Sequence, residues 1–286
     1  MDLIVWQEGE GGYCLGMSMG DGVRLERIES LSNPLVKELR ELRTRKGRLE
    51  QRRFMAEGER TLAEARAGGW RAELLLVSDS TSRNTVAAER TIEVTDEVLA
   101  KITGRDNPQP HLGIFAEPNV AARSFTSIDP TTAPRWLMLE APRDPGNLGS
   151  CIRSADAVAA GGVLLVGDAC DAYSVECVRA TMGSIFTVPV YHGSVEEARA
   201  LLSRWPGESV ATAGDAPGDY AALAYQAPAM IVVGTEAEGL SATLRSACSA
   251  TASIPMLGRA ESLNLGVAAA VTLYAAERAQ RRGRGA

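Results

Sequence analysis

Between residues 136 and 281, short apolar runs alternate with stretches of helical periodicity, and this alternation constrains the fold more than any other feature. Trp136 to Glu140, Val163 to Gly167, Thr187 to Tyr191, Ser209 to Ala213, Ala229 to Gly234 and Ala252 to Met256 read as strands. Gly149 to Ala160, Ser174 to Met182, Val195 to Trp205, Ser241 to Cys248 and Leu265 to Arg281 read as helices. Antiparallel neighbours need only a tight turn, whereas parallel strands need a crossover long enough to hold a helix. The chain therefore predicts an α/β fold, a mainly parallel sheet with helices on both faces. In such sheets ligands collect beyond the carboxyl ends of the strands.

Upstream, residues 23–118 predict a smaller α/β module. Leu35, Leu39 and Leu42 recur at helical spacing behind the start signal Ser32-Asn33-Pro34. Thr61 to Ala67 continues as a helix, Ala72 to Ser78 is a buried strand, Asp96 to Lys101 a short helix and Gly113 to Ala116 a closing strand. Residues 119–135, polar and punctuated by proline, have the chemistry of a linker to a second domain over 136–286. Residues 1–22, Gly-rich and weakly patterned, read as a disordered extension.

The net charge of -6 argues against a surface coated uniformly by nucleic acid, but the basic residues are grouped. From Asn33 to Arg53 there are eight of them against three acids. Arg43, Arg45, Lys46 and Arg48 bracket a predicted loop, with Arg52 and Arg53 beyond it and Arg60 further on; these seven are candidate phosphate contacts, whose binding would be salt-dependent. Five scattered cysteines without C-x-x-C and only two histidines disfavour a structural metal or a disulfide framework. No apolar run reaches 18 residues and the first residues lack a signal pattern, so the expectation is a cytoplasmic protein without a membrane span.

Three segments at strand ends carry the chemistry. The first, Arg143-Asp144-Pro145-Gly146-Asn147-Leu148-Gly149 with Arg153 beyond, is a Gly-containing turn into a helix. In the second, Gly234-Thr235-Glu236, a glycine ending a buried strand lets a flat ligand lie on the backbone, with a carboxylate two residues on. The third, Ile254-Pro255-Met256-Leu257-Gly258 to Ser262-Leu263-Asn264, runs into the last helix, and Ser262 and Asn264 occupy positions where N-caps sit. The two histidines lie in no nucleophile context and there is no phosphate loop, which disfavours a nucleotide-dependent hydrolase.

Taken together, Asn147-x-Gly149-x-x-x-Arg153, then Gly234-x-Glu236-x-x-Gly239-Leu240, then Ile254-Pro255-Met256-x-Gly258-x-x-x-Ser262-Leu263-Asn264 resemble the three motifs of the SpoU (TrmH-like) RNA 2′-O-ribose methyltransferases of the SPOUT superfamily. The resemblance covers about 150 residues. The upstream module resembles the substrate-binding domain, similar to ribosomal protein L30e, that often precedes this catalytic domain. What the resemblance implies is a deep trefoil knot, S-adenosylmethionine as cofactor and a homodimer. It assigns cofactor contacts to Gly234, Ile254, Met256, Leu263, Glu236 and Ser262, and a reaction centre to Asn147, Arg153, Glu236, Ser262 and Asn264, with no metal. Gly266 stands where the family often has Ser. The implied substrate is structured RNA, with 23S ribosomal RNA favoured over transfer RNA; relatives of this layout include enzymes conferring avilamycin or thiostrepton resistance. A non-catalytic RNA-binding assembly factor on the same fold would be expected to have lost one of the five polar positions, and all are present.

Overall fold

The computed structural model describes residues 26–78, 86–119, 123–235 and 239–284. The expected disordered extension, residues 1–22, lies outside them. Two compact units are distinguished: the described residues up to Leu62 with Arg71–Ala116, and Ala63–Trp70 with Glu117–Ala286.

From its first described residue the chain runs β1 (Glu26–Ile28), α1 (Pro34–Glu41), α2 (Arg45–Gln51), β2 (Arg53–Glu57), α3 (Glu59–Ala67), β3 (Ala72–Ser78), β4 (Ala88–Val94), α4 (Asp96–Thr103) and β5 (His111–Ala116), all in the first unit except the part of α3 from Ala63 on. The sheet of this unit has the order β1-β4-β3-β5-β2, with β5 antiparallel to both neighbours. Asn33 starts α1 by accepting from Leu35 N at 2.9 Å, with Pro34 at the first helical position. The basic segment is not the expected loop. Thr44 Oγ1 accepts from Gly47 N at 3.0 Å and starts α2 at Arg45, and a Cβ at Gly47 would collide with the Glu41 carbonyl. The turn is thus tight enough to need glycine there.

The second unit continues with β6 (Arg135–Glu140), α5 (Pro145–Ala157), β7 (Val163–Val166), α6 (Val175–Ala180), β8 (Val190–Gly193), α7 (Val195–Leu202), β9 (Ser209–Thr212), β10 (Ala229–Val233), α8 (Ala242–Ala247), β11 (Ala250–Ala252) and α9 (Leu265–Arg284). The sheet, in the order β11-β9-β10-β6-β7-β8, is parallel throughout, as the crossover helices require. Along β6, Trp136 and Met138 join a cluster with Leu164, Val166, Met230, Val232, Leu201 and Trp205. Leu137 and Leu139 alternate with them and are equally buried. Burial on both faces explains why these strands read as continuous apolar runs.

The differences from expectation have local causes. Phe125, inside the expected linker, is 1% exposed and packs in the Trp136 cluster. Two short 3-10 turns, Phe125–Ser127 and Pro130–Thr132, fold the end of that segment onto the second unit. The last strand is Ala250–Ala252, not Ala252 to Met256. Past Ala252 the backbone of Ser253 turns to Gly218 and Tyr220, and Ile254, Pro255 and Met256 follow it to line a cleft.

Candidate functional site

A cleft of about 420 Å³ opens beyond the carboxyl ends of β9, β10 and β11. Three loops and the start of α9 form it: Thr212, Ala213 and Gly214 after β9; Gly234, Thr235 and Gly239 after β10; Ser253 to Met256 and Ala260 to Leu263 after β11; then Leu265 and Ala268. Of the residues expected to hold a cofactor, the structure brings Gly234, Ile254, Met256, Ser262 and Leu263 to this one cavity. Glu236 lies outside the described residues.

Gly234 is where the absence of a side chain matters most. A Cβ there would overlap the Gly239 carbonyl carbon and oxygen and crowd the Leu240 nitrogen. Thr235 and Gly239 exchange both backbone hydrogen bonds, at 3.2 and 2.9 Å, and Gly239 takes φ +68° to make the turn.

The first loop joins the third through two amides. Asn264 Nδ2 donates to Asn147 Oδ1 at 2.8 Å. Asn264 Oδ1 accepts from Gly266 N at 3.0 Å, so Asn264 is also the cap of α9. Ser262, expected at a cap position, is instead exposed two residues before the cap. Asp144 starts α5 by accepting from Asn147 N at 2.6 Å, so the helix begins four residues before the expected Gly149. Gly149 therefore serves packing and not the turn: a Cβ there would lie 2.7 Å from the Cys177 carbonyl of α6. Gly266 lets α9 cross α5 closely, with Ser150 Cβ 3.2 Å from where its own Cβ would be. Arg153 is exposed in the third turn of α5 and does not line the cleft.

Nearby thiols are held protonated. Burial, with Asp144 adding to it, pushes Cys170 up to about 11, and burial drives Cys177 well above its usual value. Neither is poised as a thiolate nucleophile at neutral pH. Among the described residues, no group of three His, Cys, Asp or Glu side chains is arranged to hold a metal ion, and no helix is long and apolar enough to cross a membrane.

In the first unit the basic candidates separate by environment. Arg43, Arg45, Lys46, Arg52 and Arg60 are exposed. Arg48 is corrected: it is 3% exposed, and its Nη1 donates to the Leu42 carbonyl at 2.8 Å, so it stitches α2 to the preceding turn instead of facing a ligand. Arg53 is half-buried between Glu38 (2.9 Å) and Glu73 (2.5 Å). Charge density along the sequence does not distinguish an arginine that satisfies a buried carbonyl from one that meets solvent.

The residues missed by the sequence reading are Thr212, Ala213 and Gly214. The available signal was a glycine just past a buried strand, the same pattern that marks Gly234.

A parallel sheet whose strand-end loops gather around one cleft, preceded by a small α/β unit, defines a two-part α/β ligand-binding protein. Comparison with known proteins makes the class specific. The SpoU rRNA Methylase family model matches residues 134–274, and the MRM3-like substrate binding domain model matches residues 33–113. The 23S rRNA (uridine(2479)-2′-O)-methyltransferase of Streptomyces viridochromogenes is 32% identical over 86% of this chain and 88% of that protein. The 23S rRNA (guanosine(2553)-2′-O)-methyltransferase RlmP of Bacillus subtilis is 29% identical over 87% of this chain and 98% of that protein. The crystal structure of an AdoMet-bound rRNA methyltransferase from Sinorhizobium meliloti superimposes with a TM-score of 0.79 at 37% identity, covering 89% of this chain and 98% of that one. The chain belongs to the SpoU rRNA methylase family.

Proposed function

We propose that the chain transfers the methyl group of S-adenosylmethionine to the 2′-oxygen of a ribose in 23S ribosomal RNA. The observation that carries this reading is the cleft built from the loops after β9, β10 and β11, tied to the first motif by the Asn147–Asn264 hydrogen bond. The Streptomyces and Bacillus relatives, both named for 23S rRNA 2′-O-methylation, support the same reaction and substrate.

The residues present fit the cofactor. The cleft volume of about 420 Å³ lies in the range of small-ligand pockets. Val233, Ile254 and Leu265 offer apolar walls for a purine, while backbone groups of Gly234, Ile254 and Leu263 are available to hold the adenosine and methionine parts, with Met256 alongside. Ser262 supplies a polar group of the lining, and the carboxylate of Glu236 is assigned to the same site by the family motif. S-adenosylmethionine brings an electrophilic methyl on a sulfonium. The chain's task is to align a ribose hydroxyl with that methyl, assist loss of its proton and exclude water. Asn147 and Asn264 fix the loop geometry and face the reacting ribose. Arg153 acts as a guanidinium that orients the 2′-hydroxyl and a neighbouring phosphate; with a pKa above about 12 it is a poor base.

Arg153 does not line the cleft of its own chain, so a second copy is the expected source of the guanidinium. An exposed stripe on α9, with Val267 at 46% and Tyr274 at 52%, supports a homodimer that covers this face. The trefoil knot belongs to the same reading, for which the gathering of the loops after β9, β10 and β11 around one cleft is the support. Arg43, Arg45, Lys46, Arg52 and Arg60 of the first unit, all exposed, hold RNA phosphates, whereas Arg53 is engaged by Glu38 and Glu73. Such a substrate places the work in the cytoplasm. Where the target ribose lies in a drug site, the reaction confers resistance to a ribosome-targeting antibiotic, which the drug sensitivity of an expressing host measures.

The test is to incubate purified protein and methyl-labelled cofactor with unmodified 23S rRNA and transfer RNA. Label on one 23S ribose is expected; label on a base, or on transfer RNA alone, overturns the assignment.

A further inference from the structure

The loop that folds over Gly234 is fastened at its far end by a residue outside the three motifs. After Gly239 turns back, Ser241 N–H donates to Glu140 Oε2 at 2.7 Å. Ser241 Oγ then accepts from Leu244 N at 3.3 Å and starts α8. Glu140 is the last residue of β6, and β6 pairs directly with β10, Val233 opposite Leu139. One residue beyond that pair, the Glu140 carboxylate stands at the level of Gly234 and spans to the loop's end. Gly239 to Ser241 are thus fixed on one side by the backbone pair with Thr235 and on the other by the neighbouring strand's carboxylate. The hydrogen bond is charge-assisted, the stronger class.

We propose that Glu140 is a positioning residue for the cofactor cleft: by holding Ser241 N–H it keeps Gly239 and Leu240 packed on Gly234, beside the cleft formed with Ile254 and Leu263. This rests on the reading of that cleft as the S-adenosylmethionine site. Glu140 is half-buried and does not line the cleft, so it acts through the loop and not by touching ligand.

Full-length native protein, Glu140→Ala and Glu140→Gln are compared by calorimetric titration with S-adenosylhomocysteine, well below the unfolding temperature of the weakest variant. KM for S-adenosylmethionine and kcat are measured alongside. Glu140→Ala raises Kd and KM about tenfold, the equivalent of about 1.4 kcal/mol, while kcat at saturating cofactor stays within about twofold. In Glu140→Gln the amide oxygen still accepts from Ser241 N–H, and affinity returns to within about threefold of native. A purely structural role lowers the unfolding temperature of Glu140→Ala without moving Kd, and that result overturns the proposal. Equal weakness of the Gln and Ala variants overturns it as well. A native chain that takes up no ligand overturns the cleft reading and this proposal together, whereas native binding matched by Glu140→Ala overturns this proposal alone.

Discussion

The cleft of the second unit and the basic segment of the first are built on different principles. At the cleft, recognition is assigned mainly to backbone: Gly234 and Ile254 line it just past strand ends and Leu263 just before α9, while the side chains of Asn264 and Glu140 bond the α9 start and Ser241. In the basic segment, recognition is assigned to side-chain charge, and the fold draws on the same charge for itself. Arg48 satisfies the Leu42 carbonyl and Arg53 joins Glu38 and Glu73, while Arg43, Arg45, Lys46, Arg52 and Arg60 face solvent. A backbone-built site is intolerant of small geometric changes. A charge-built surface is graded, losing affinity contact by contact.

The sharpest way to break this contrast is Gly234→Val. The added side chain must displace the Gly239 backbone, so methyl transfer should fall by about 1,000-fold, on the scale seen for lost positioning. Single-turnover transfer measures it, and near-native activity would remove the backbone account of the cleft. Next in size, Arg153→Lys should lose about 100-fold across the whole pH range, because an ammonium does not reproduce the planar fork. Near-full retention would refute the guanidinium role. The proposed sharing of the site between two copies admits a complementation test. Mixing subunits of inactive Arg153→Ala and inactive Gly234→Val should restore about a quarter of native activity if a symmetric dimer joins the cleft of one copy to the arginine of the other. No recovery in the mixed dimer would place both groups in one chain.

For the charged surface the expected effects are smaller. Replacing Arg45 and Lys46 together by Glu should weaken RNA binding by about 10- to 100-fold in low salt and flatten the plot of log K against log salt by about two contacts. Arg48→Met should leave that slope unchanged and destabilise the first unit by about 1–3 kcal/mol, since the Leu42 carbonyl loses its buried donor. If Arg48 governs the slope as the exposed residues do, the division by environment is wrong. The smallest effect concerns alkaline pH. Cys170 and Cys248 are pushed up to about 11 and about 12, chiefly by burial. Their folded values exceed the unfolded ones, so the stability they contribute is complete below about pH 8.5 and declines as pH rises toward the folded values. Cys170→Ser and Cys248→Ser should each flatten the alkaline fall in unfolding temperature.

The same contrast explains how much was legible in the sequence. The parallel sheet was readable because its strands are buried on both faces and its crossovers are helices. Gly234 was readable as a glycine ending a buried strand, whereas Ile254 and Leu263 were pointed to only by the resemblance of the third segment to a family motif; all three line the cleft. What escaped the sequence depends on long-range neighbours. Thr212 to Gly214 become part of the cleft only because β9 lies between β10 and β11. Glu140 finds Ser241 across 101 positions. Phe125 left a polar stretch for a core that no local pattern announced. Arg48 was indistinguishable from its neighbours until the turn before α2 supplied a carbonyl.

The central claim is that three strand-end loops form one cofactor cleft, and a crystal structure with bound S-adenosylhomocysteine tests it most directly. The expected result places the ligand in the cleft with its adenosine against the backbone of Gly234, Ile254 and Leu263. A ligand bound elsewhere, with those backbone groups turned away from it, would contradict the account.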